Sequence, residues 1–426
     1  MVAPRNVKTI QDLKLADYQA RACKSNQFEG KTEAKDQLRF GFFGEIGGLL
    51  SLIKKSTRDL HAADHNAITE ELGDALWYLT TVAIQYDLTL QDVGFEAITE
   101  LQQRLNVNAP AVADELTFEK FDGLMAFSKE EASTEKITAA LKQLGIHCGS
   151  LFNGEQQDLV YQPPLKILAA LLADMVTVSS LFTQNFSEVA RFNLKKIESR
   201  WPSDQAQYTP LFDEKYPALE QFPRQFEMRF IERHNSSGKP HVIQQMLGIN
   251  IGDRLTDNRT EPDGYRFHDV FHLAYLVHLG WSPVIRALLK LKRKSDPDID
   301  ENEDGARAII IEEGIATWIF NLAGSRNHFE DVKVGRLDYG LLKQVMDMVE
   351  GYEVAACPLW QWEKAILEGF NIFRQVVHNS GGIVHCDLVN RTMKFETLPD
   401  EQIEAPVKTY STVLVSSGTP AHLLPK

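Results

Sequence analysis

Cysteine is scarce in this chain. The four present (Cys23, Cys148, Cys357 and Cys386) are too scattered for a disulfide framework and lack the close spacing of a cysteine metal site. Reduced, structural thiols in the cytoplasm are the reading this supports. Long apolar runs are missing as well. No stretch approaches the roughly 20 consecutive apolar residues of a membrane helix, and the opening MVAPRNVKTIQDLKLADYQ holds no apolar core of the export type. Nor is there a block of Lys or Arg. With a formal net charge of −14, binding of nucleic acid by phosphate neutralisation is not expected. Small phosphorylated substrates stay open, because a bound cation can screen the local charge.

What is present is helical pattern. A chain of 426 residues is long enough for two to four domains, and 43% hydrophobic with 24% charged residues is ordinary for a globular protein. Apolar positions recur at helical spacing through Leu38, Phe42, Ile46, Leu49 and Ile53, and again through Ile68, Leu72, Leu76 and Leu79. The polar stretch 56–66 separates these runs as a loop, and Thr89 starts a helix that reaches about Arg104. The turn-forming stretch 106–110 closes this unit. A second helical series follows over 136–152, 164–184 and 187–200, ended by Trp201-Pro202. The organisation expected is therefore 1–108, 109–205, a mainly helical region at 206–400 and a tail at 401–426. Within the third region, 381–387 reads as the opening of a short hairpin. The two helical series align weakly with each other: 144–151 with 43–50, 170–176 with 70–76, and 186–190 with 90–94.

The densest chemistry lies in Gly44-Glu45-Ile46-Gly47-Gly48 and Glu70-Glu71-Leu72-Gly73-Asp74. Residues three apart share a helix face, so Glu71 and Asp74 project side by side, and Glu45 joins them if its helix packs antiparallel. Three converging carboxylates suit Mg²⁺, which takes carboxylate and phosphate oxygens; a solvated acidic helix face is the plainer explanation of the pair alone. The wider run, Asp17-Tyr18-Gln19, Phe42 to Leu50, Lys54-Lys55, Glu70 to Tyr78 and Leu88 to Val93, resembles the MazG-like nucleoside triphosphate pyrophosphohydrolases over about residues 15–105, and more weakly over 137–202. That resemblance implies an all-α fold of paired four-helix units burying a nucleotide. It also implies a metal motif matched here by Glu45, Glu71 and Asp74, with Mg²⁺ (or Mn²⁺) as cofactor and conversion of an NTP or dNTP to its monophosphate and pyrophosphate.

Two departures from the family pattern matter. The second acid of the first pair falls at Gly48, which raises a nucleotide-sensing module as the rival reading and Gly48→Glu as the change expected to restore turnover. The family's last helix carries an Asn, a Lys and an Arg; the first series holds Ala97, Glu100 and Arg104 there, whereas the second holds Asn193, Lys196 and Arg200. Conversely, the second series sets Ile146 against Glu45 and Leu171 against Glu71, keeping Asp174 alone. These losses are complementary. They predict an intramolecular pseudo-dimer with one composite site, its acids from the first unit and its substrate-binding Asn193, Lys196 and Arg200 from the second. Lys54 and Lys55 are further candidates to offset phosphate charge.

In the third region, Tyr265-Arg-Phe-His268-Asp269-Val-Phe-His272 places two histidines four apart on one helix face, and Glu312-Glu313 lie in another apolar helix. A transition-metal site built from His268, His272, Glu312 and Glu313 is one reading, with a hydrolase centred there as a further alternative. Capping and hydrogen bonding within a core is the other. The region resembles the helical C-terminal domain that follows some MazG-like units. A nucleoside triphosphate is the partner expected, with no nucleic acid and no membrane, and homo-oligomerisation left open.

Overall fold

The computed structural model describes residues 11–28, 33–59, 64–107, 115–127, 132–152, 164–203 and 205–399. The expected boundary at 108/109 and the tail at 401–426 lie outside the described residues. The chain forms two compact units, Met1–Trp201 and Pro202–Lys426, so both helical series fall in the first.

That unit is helical: α1 (Leu15–Ala22), α2 (Ala34–Asp59), α3 (His65–Ile84) and α4 (Leu90–Leu105), then α5 (Phe118–Ala126), α6 (Thr134–Ser150), α7 (Pro164–Leu181) and α8 (Phe186–Arg200). Local chemistry fixes the starts. Asp64 caps α3 by accepting from the backbone N–H groups of Asn66 and Ala67, and Thr89 and Asp92 form a reciprocal capping box on α4. Asn106, at φ 52°, ends α4 in a left-handed turn. The helix α5 has no counterpart in the expected second series.

The apolar stripes of all these helices meet in one core. Leu38, Phe42 and Leu49 from α2 and Leu72, Leu76 and Leu79 from α3 join Leu144, Leu172, Val189 and Ile197 from the second series. Each such side chain, fully buried, contributes about 1.5–3 kcal/mol. The packing repeats: α2 lies on α3 as α6 lies on α7, and α3 crosses α8 as α4 crosses α7. The lead-ins to α1 and α5 pair with each other, Leu15 N–H donating to Leu116 O (3.0 Å) and Phe118 N–H to Leu13 O (2.9 Å). α7 is long and apolar enough to cross a membrane by length and composition alone; here Leu168 to Met175 are buried in the helical core.

The second unit adds a sheet to its helices. β1 (Gln225–His234), β2 (Pro240–Met246), β3 (Ile249–Leu255), β4 (Gly381–Asp387) and β5 (Thr392–Glu396) form an antiparallel sheet in the order β3-β2-β1-β4-β5. The hairpin expected at 381–387 is β4–β5; the β1–β3 meander goes beyond the mainly helical expectation. Its signal is a period of two, with Met228 and Phe230 buried between partly exposed Glu227 and Arg229.

The helices of this unit are α9 (Asp269–Leu279), α10 (Pro283–Leu289), α11 (Pro297–Asn302), α12 (Ala306–Gly324), α13 (Tyr339–Met348) and α14 (Leu359–His378). α9 is buried along its whole length and packs on α14. A buried ion network braces the unit, with Arg293 between Asp304 and Glu353 at 2.7 Å each.

Candidate functional site

In the helical unit the polar side chains gather where α2, α3 and α8 meet. Lys196 reaches from α8 to Glu70 (3.0 Å) and Asp74 (2.5 Å) on α3. Asn193, one turn earlier, donates from Nδ2 to Asp74 Oδ1 (3.1 Å). The Oη of Tyr18, on α1, donates to Asn193 Oδ1 (2.7 Å). This bond leaves the amide's NH₂ facing Asp74. Burial, then the nearby Asp74, raises the Tyr18 hydroxyl well above its usual range, so it stays a donor. Gly73 makes this approach possible: a Cβ there would stand 2.9 Å from Asn193 Cβ.

Glu45 and Glu71 form a hydrogen-bonded carboxyl pair beside Asp74. Burial first, then the charges of Asp74 and Glu71, pushes Glu45 up to about 8. Glu71 is raised too, by burial and Asp74. The Tyr78 hydroxyl is raised by burial and by Glu45 and Asp74, which puts it in the same field. Like charges this close resist joint ionisation, and a shared proton relieves the repulsion.

Gly48 has a definite role here. A Cβ at that position would lie 2.4 Å from Glu71 Oε2, so the Glu71 carboxylate occupies the space over the glycine. A side chain at 48 would push the end of the Glu71 side chain aside.

The counterpart position in the other half is different in kind. Asp174 accepts from Arg104 (2.7 Å) and contacts His147 Nδ1 (2.6 Å), and Arg104 also pairs with Glu100. Burial along the helices sets Ala97 against Asn193 and Glu100 against Lys196, as expected, and Phe121 against Tyr18. It aligns Phe42, Ile46 and Leu49 with Leu144, Cys148 and Leu151. This register puts His147, not the exposed Ile146, against Glu45. Here an arginine and a histidine hold the lone acid.

Lys54 and Lys55 are exposed on later turns of α2, and Arg200 stacks on Trp201 (4.7 Å). Lys54 and Lys55 stand apart from the hydrogen-bonded group around Asp74. Tyr18 escaped the reading of the sequence; its only signal was its place in the Asp17-Tyr18-Gln19 run.

In the second unit, His268, Asp269 and His272 hold their ligand atoms within 4.8 Å of one another, the one such set of three among the described residues. Glu45, Glu71 and Asp74 do not form such a set. His272 is fully buried; its Nδ1 meets Glu312 Oε1 (2.9 Å), and Glu312 also accepts from Ser282 Oγ (2.7 Å) and Val284 N–H (2.8 Å). Burial alone would lower His272, but the Glu312 and Glu313 carboxylates raise it well above its usual range. Glu313 is opposed by burial, yet held below its ordinary value by His272. Elsewhere in this unit the loop through Asp257 and Arg259 lines a cleft of about 650 Å³ with Lys239, His241 and Arg254.

The molecule thus combines an all-helical, carboxylate-bearing unit with an α+β unit that carries a histidine–carboxylate cluster. Residues 207–399 match the family model of the MazG C-terminal domain, which covers the α+β unit. No curated protein matches the chain, and no solved structure does.

Proposed function

We propose that the helical unit is a Mg²⁺-dependent nucleoside triphosphate pyrophosphohydrolase, releasing pyrophosphate from an NTP or dNTP. The observation that carries this is the convergence of Glu45, Glu71 and Asp74 from α2 and α3 with Asn193 and Lys196 from α8.

The donor set fits a hard divalent cation. Glu45 and Glu71 share a proton because burial and Asp74 oppose a second charge, and a cation that takes the proton's place satisfies the same oxygens. When bound, such an ion supplies charge stabilisation at the phosphates and lowers the pKa of water. The chain's own groups position the rest. Lys196 holds Asp74 and Glu70 in one orientation and adds a positive charge beside the substrate. Asn193, fixed by Tyr18, orients Asp74 from the other side. Lys54, Lys55 and Arg200 are the remaining cations offered to the polyphosphate.

The test is pyrophosphate release across the common NTPs and dNTPs with Mg²⁺ or Mn²⁺. Glu71→Gln and Lys196→Ala should each lower turnover by about 10²-fold or more, the scale of losing one electrostatic contact to a reacting centre. Asp174→Asn should leave the rate intact yet destabilise the fold by about 1–3 kcal/mol, since it weakens the buried partner of Arg104. Nucleotide binding by calorimetry without turnover would favour the sensing module. Turnover by Glu71→Gln equal to wild type would end the reading.

A further inference from the structure

We infer that His268, Asp269, His272 and Glu313 form a binding site for one divalent first-row transition-metal ion, with Glu312 orienting His272. The argument begins with the ring nitrogens. His268 Nδ1 lies 2.8 Å from the carbonyl oxygen of Tyr265. A carbonyl only accepts, so Nδ1 carries the proton and the Nε2 of the neutral ring presents a lone pair. The ring is held in place by Tyr265, stacked on it at 4.3 Å with planes 2° apart. His272 Nδ1 likewise donates to Glu312 (2.9 Å), which turns its Nε2 inward as a buried nitrogen with no hydrogen-bond partner. A carboxylate behind one histidine and a carbonyl behind the other is the support that fixes the tautomer and orientation of metal-bound imidazoles.

The spacing around these nitrogens agrees. His268 Nε2 lies 3.1 Å from Asp269 Oδ1 and 3.8 Å from Glu313 Oε2, and His272 Nε2 lies 3.5 Å from Glu313 Oε2. Ligands about 2.0–2.2 Å from one ion stand roughly 3.0–3.5 Å from each other along the edges of its coordination polyhedron. Two of the three separations fall in that range and the third is slightly longer; both distances to Glu313 exceed an ordinary hydrogen bond. Asp269 is itself fixed, its Oδ2 accepting from Gln244 Nε2 on β2 (2.5 Å). Glu313 is 40% exposed whereas the histidines are almost wholly covered, so an ion enters past Glu313 and meets prearranged nitrogens behind it. Two imidazoles with carboxylates select zinc, manganese, iron or cobalt over magnesium. Asp269 enters the ligand set suggested by the sequence, and Glu312 leaves it for the supporting role.

The experiment uses the full chain, stripped with EDTA and titrated with Co²⁺, whose visible spectrum reports coordination by nitrogen and oxygen. Saturation at one ion per chain is expected, with thermal stabilisation, and Zn²⁺ should displace the Co²⁺. Glu313→Gln and His268→Ala should abolish the spectrum; Glu313→Gln, at an exposed position, guards against a merely unfolded variant. Glu312→Gln should weaken affinity by about 10–100-fold. Glu71→Gln should leave the spectrum unchanged, which separates this site from the proposed pyrophosphohydrolase. Absence of a saturable spectrum, or one that survives Glu313→Gln and His268→Ala in folded protein, overturns the assignment. So does a spectrum lost in Glu71→Gln.

Discussion

Glu45 carries the sharpest consequence at the scale of a residue. Its folded value of about 8 lies above the ordinary 4.5, so the folded state binds the proton more tightly than the unfolded chain does. The stability this contributes is fully present below pH 4.5 and is lost as the pH rises through about 8. In EDTA, the wild type should therefore lose stability between these limits relative to Glu45→Gln, whose neutral amide has no such proton to lose. Thermal melts at pH 6 and pH 9 would show the variant gaining ground at the higher value while remaining inactive. Equal offsets at both pH values would contradict the assignment. The three acids were legible as a motif. Their mutual repulsion was not, because it depends on how far apart three side chains on two helices come to rest.

At the scale of elements, the close approach of α2 and α3 decides what Gly48 does. The family comparison made it read as a lost ligand. The structure puts the end of the Glu71 side chain where a Cβ would stand, so any side chain at 48 moves the Glu71 carboxylate. Gly48→Ala should thus reduce pyrophosphate release and Gly48→Glu should reduce it further, by moving the Glu71 carboxylate, while stability changes by no more than about 1 kcal/mol because the end of Glu71 gives way and a helical alanine is favourable. A chemical denaturation curve beside the activity assay checks both, and a gain of activity in Gly48→Glu would contradict the packing argument. The start at Thr89 and the extents of α4, α7 and α8 were readable from local chemistry; the stretch 56–66 read as loop is shorter, since α2 runs to Asp59 and Asp64 caps α3. α5 was not, since the nine residues of Phe118–Ala126 give little more than two turns of periodicity.

The whole helical unit is the scale at which the repeat acquires meaning. The cores of the two series are continuous, and the strand-like pairing of Leu13 and Leu15 with Leu116 and Phe118 ties the first helix to the fifth. A chain ending near residue 110 should then fail to fold as a monomer or to turn over nucleotide, whereas one ending near 205 should do both. Circular dichroism, sizing and the pyrophosphate assay on the two fragments decide the matter. Full activity from the shorter fragment as a monomer would remove α8 from the site. The complementary losses in the two series give the expectation of one site that these fragments test.

The sequence by itself determined which segments of the first unit are mostly helical, where several begin, and which acids, amide and lysine are the candidates for chemistry. These follow from periodicity, capping and residue type, all of which act within a few positions along the chain. Only the tertiary structure decided that Tyr18 fixes Asn193, that His147 and not Ile146 faces Asp174, and that Arg104 closes the second half. It also decided that Glu312 stands behind His272 while Asp269 stands beside it. Each of these is a contact across tens of residues or more, or the choice between neighbours on a helix face. A rotation of 100° per residue turns an alignment uncertain by one position into a different side chain at the site.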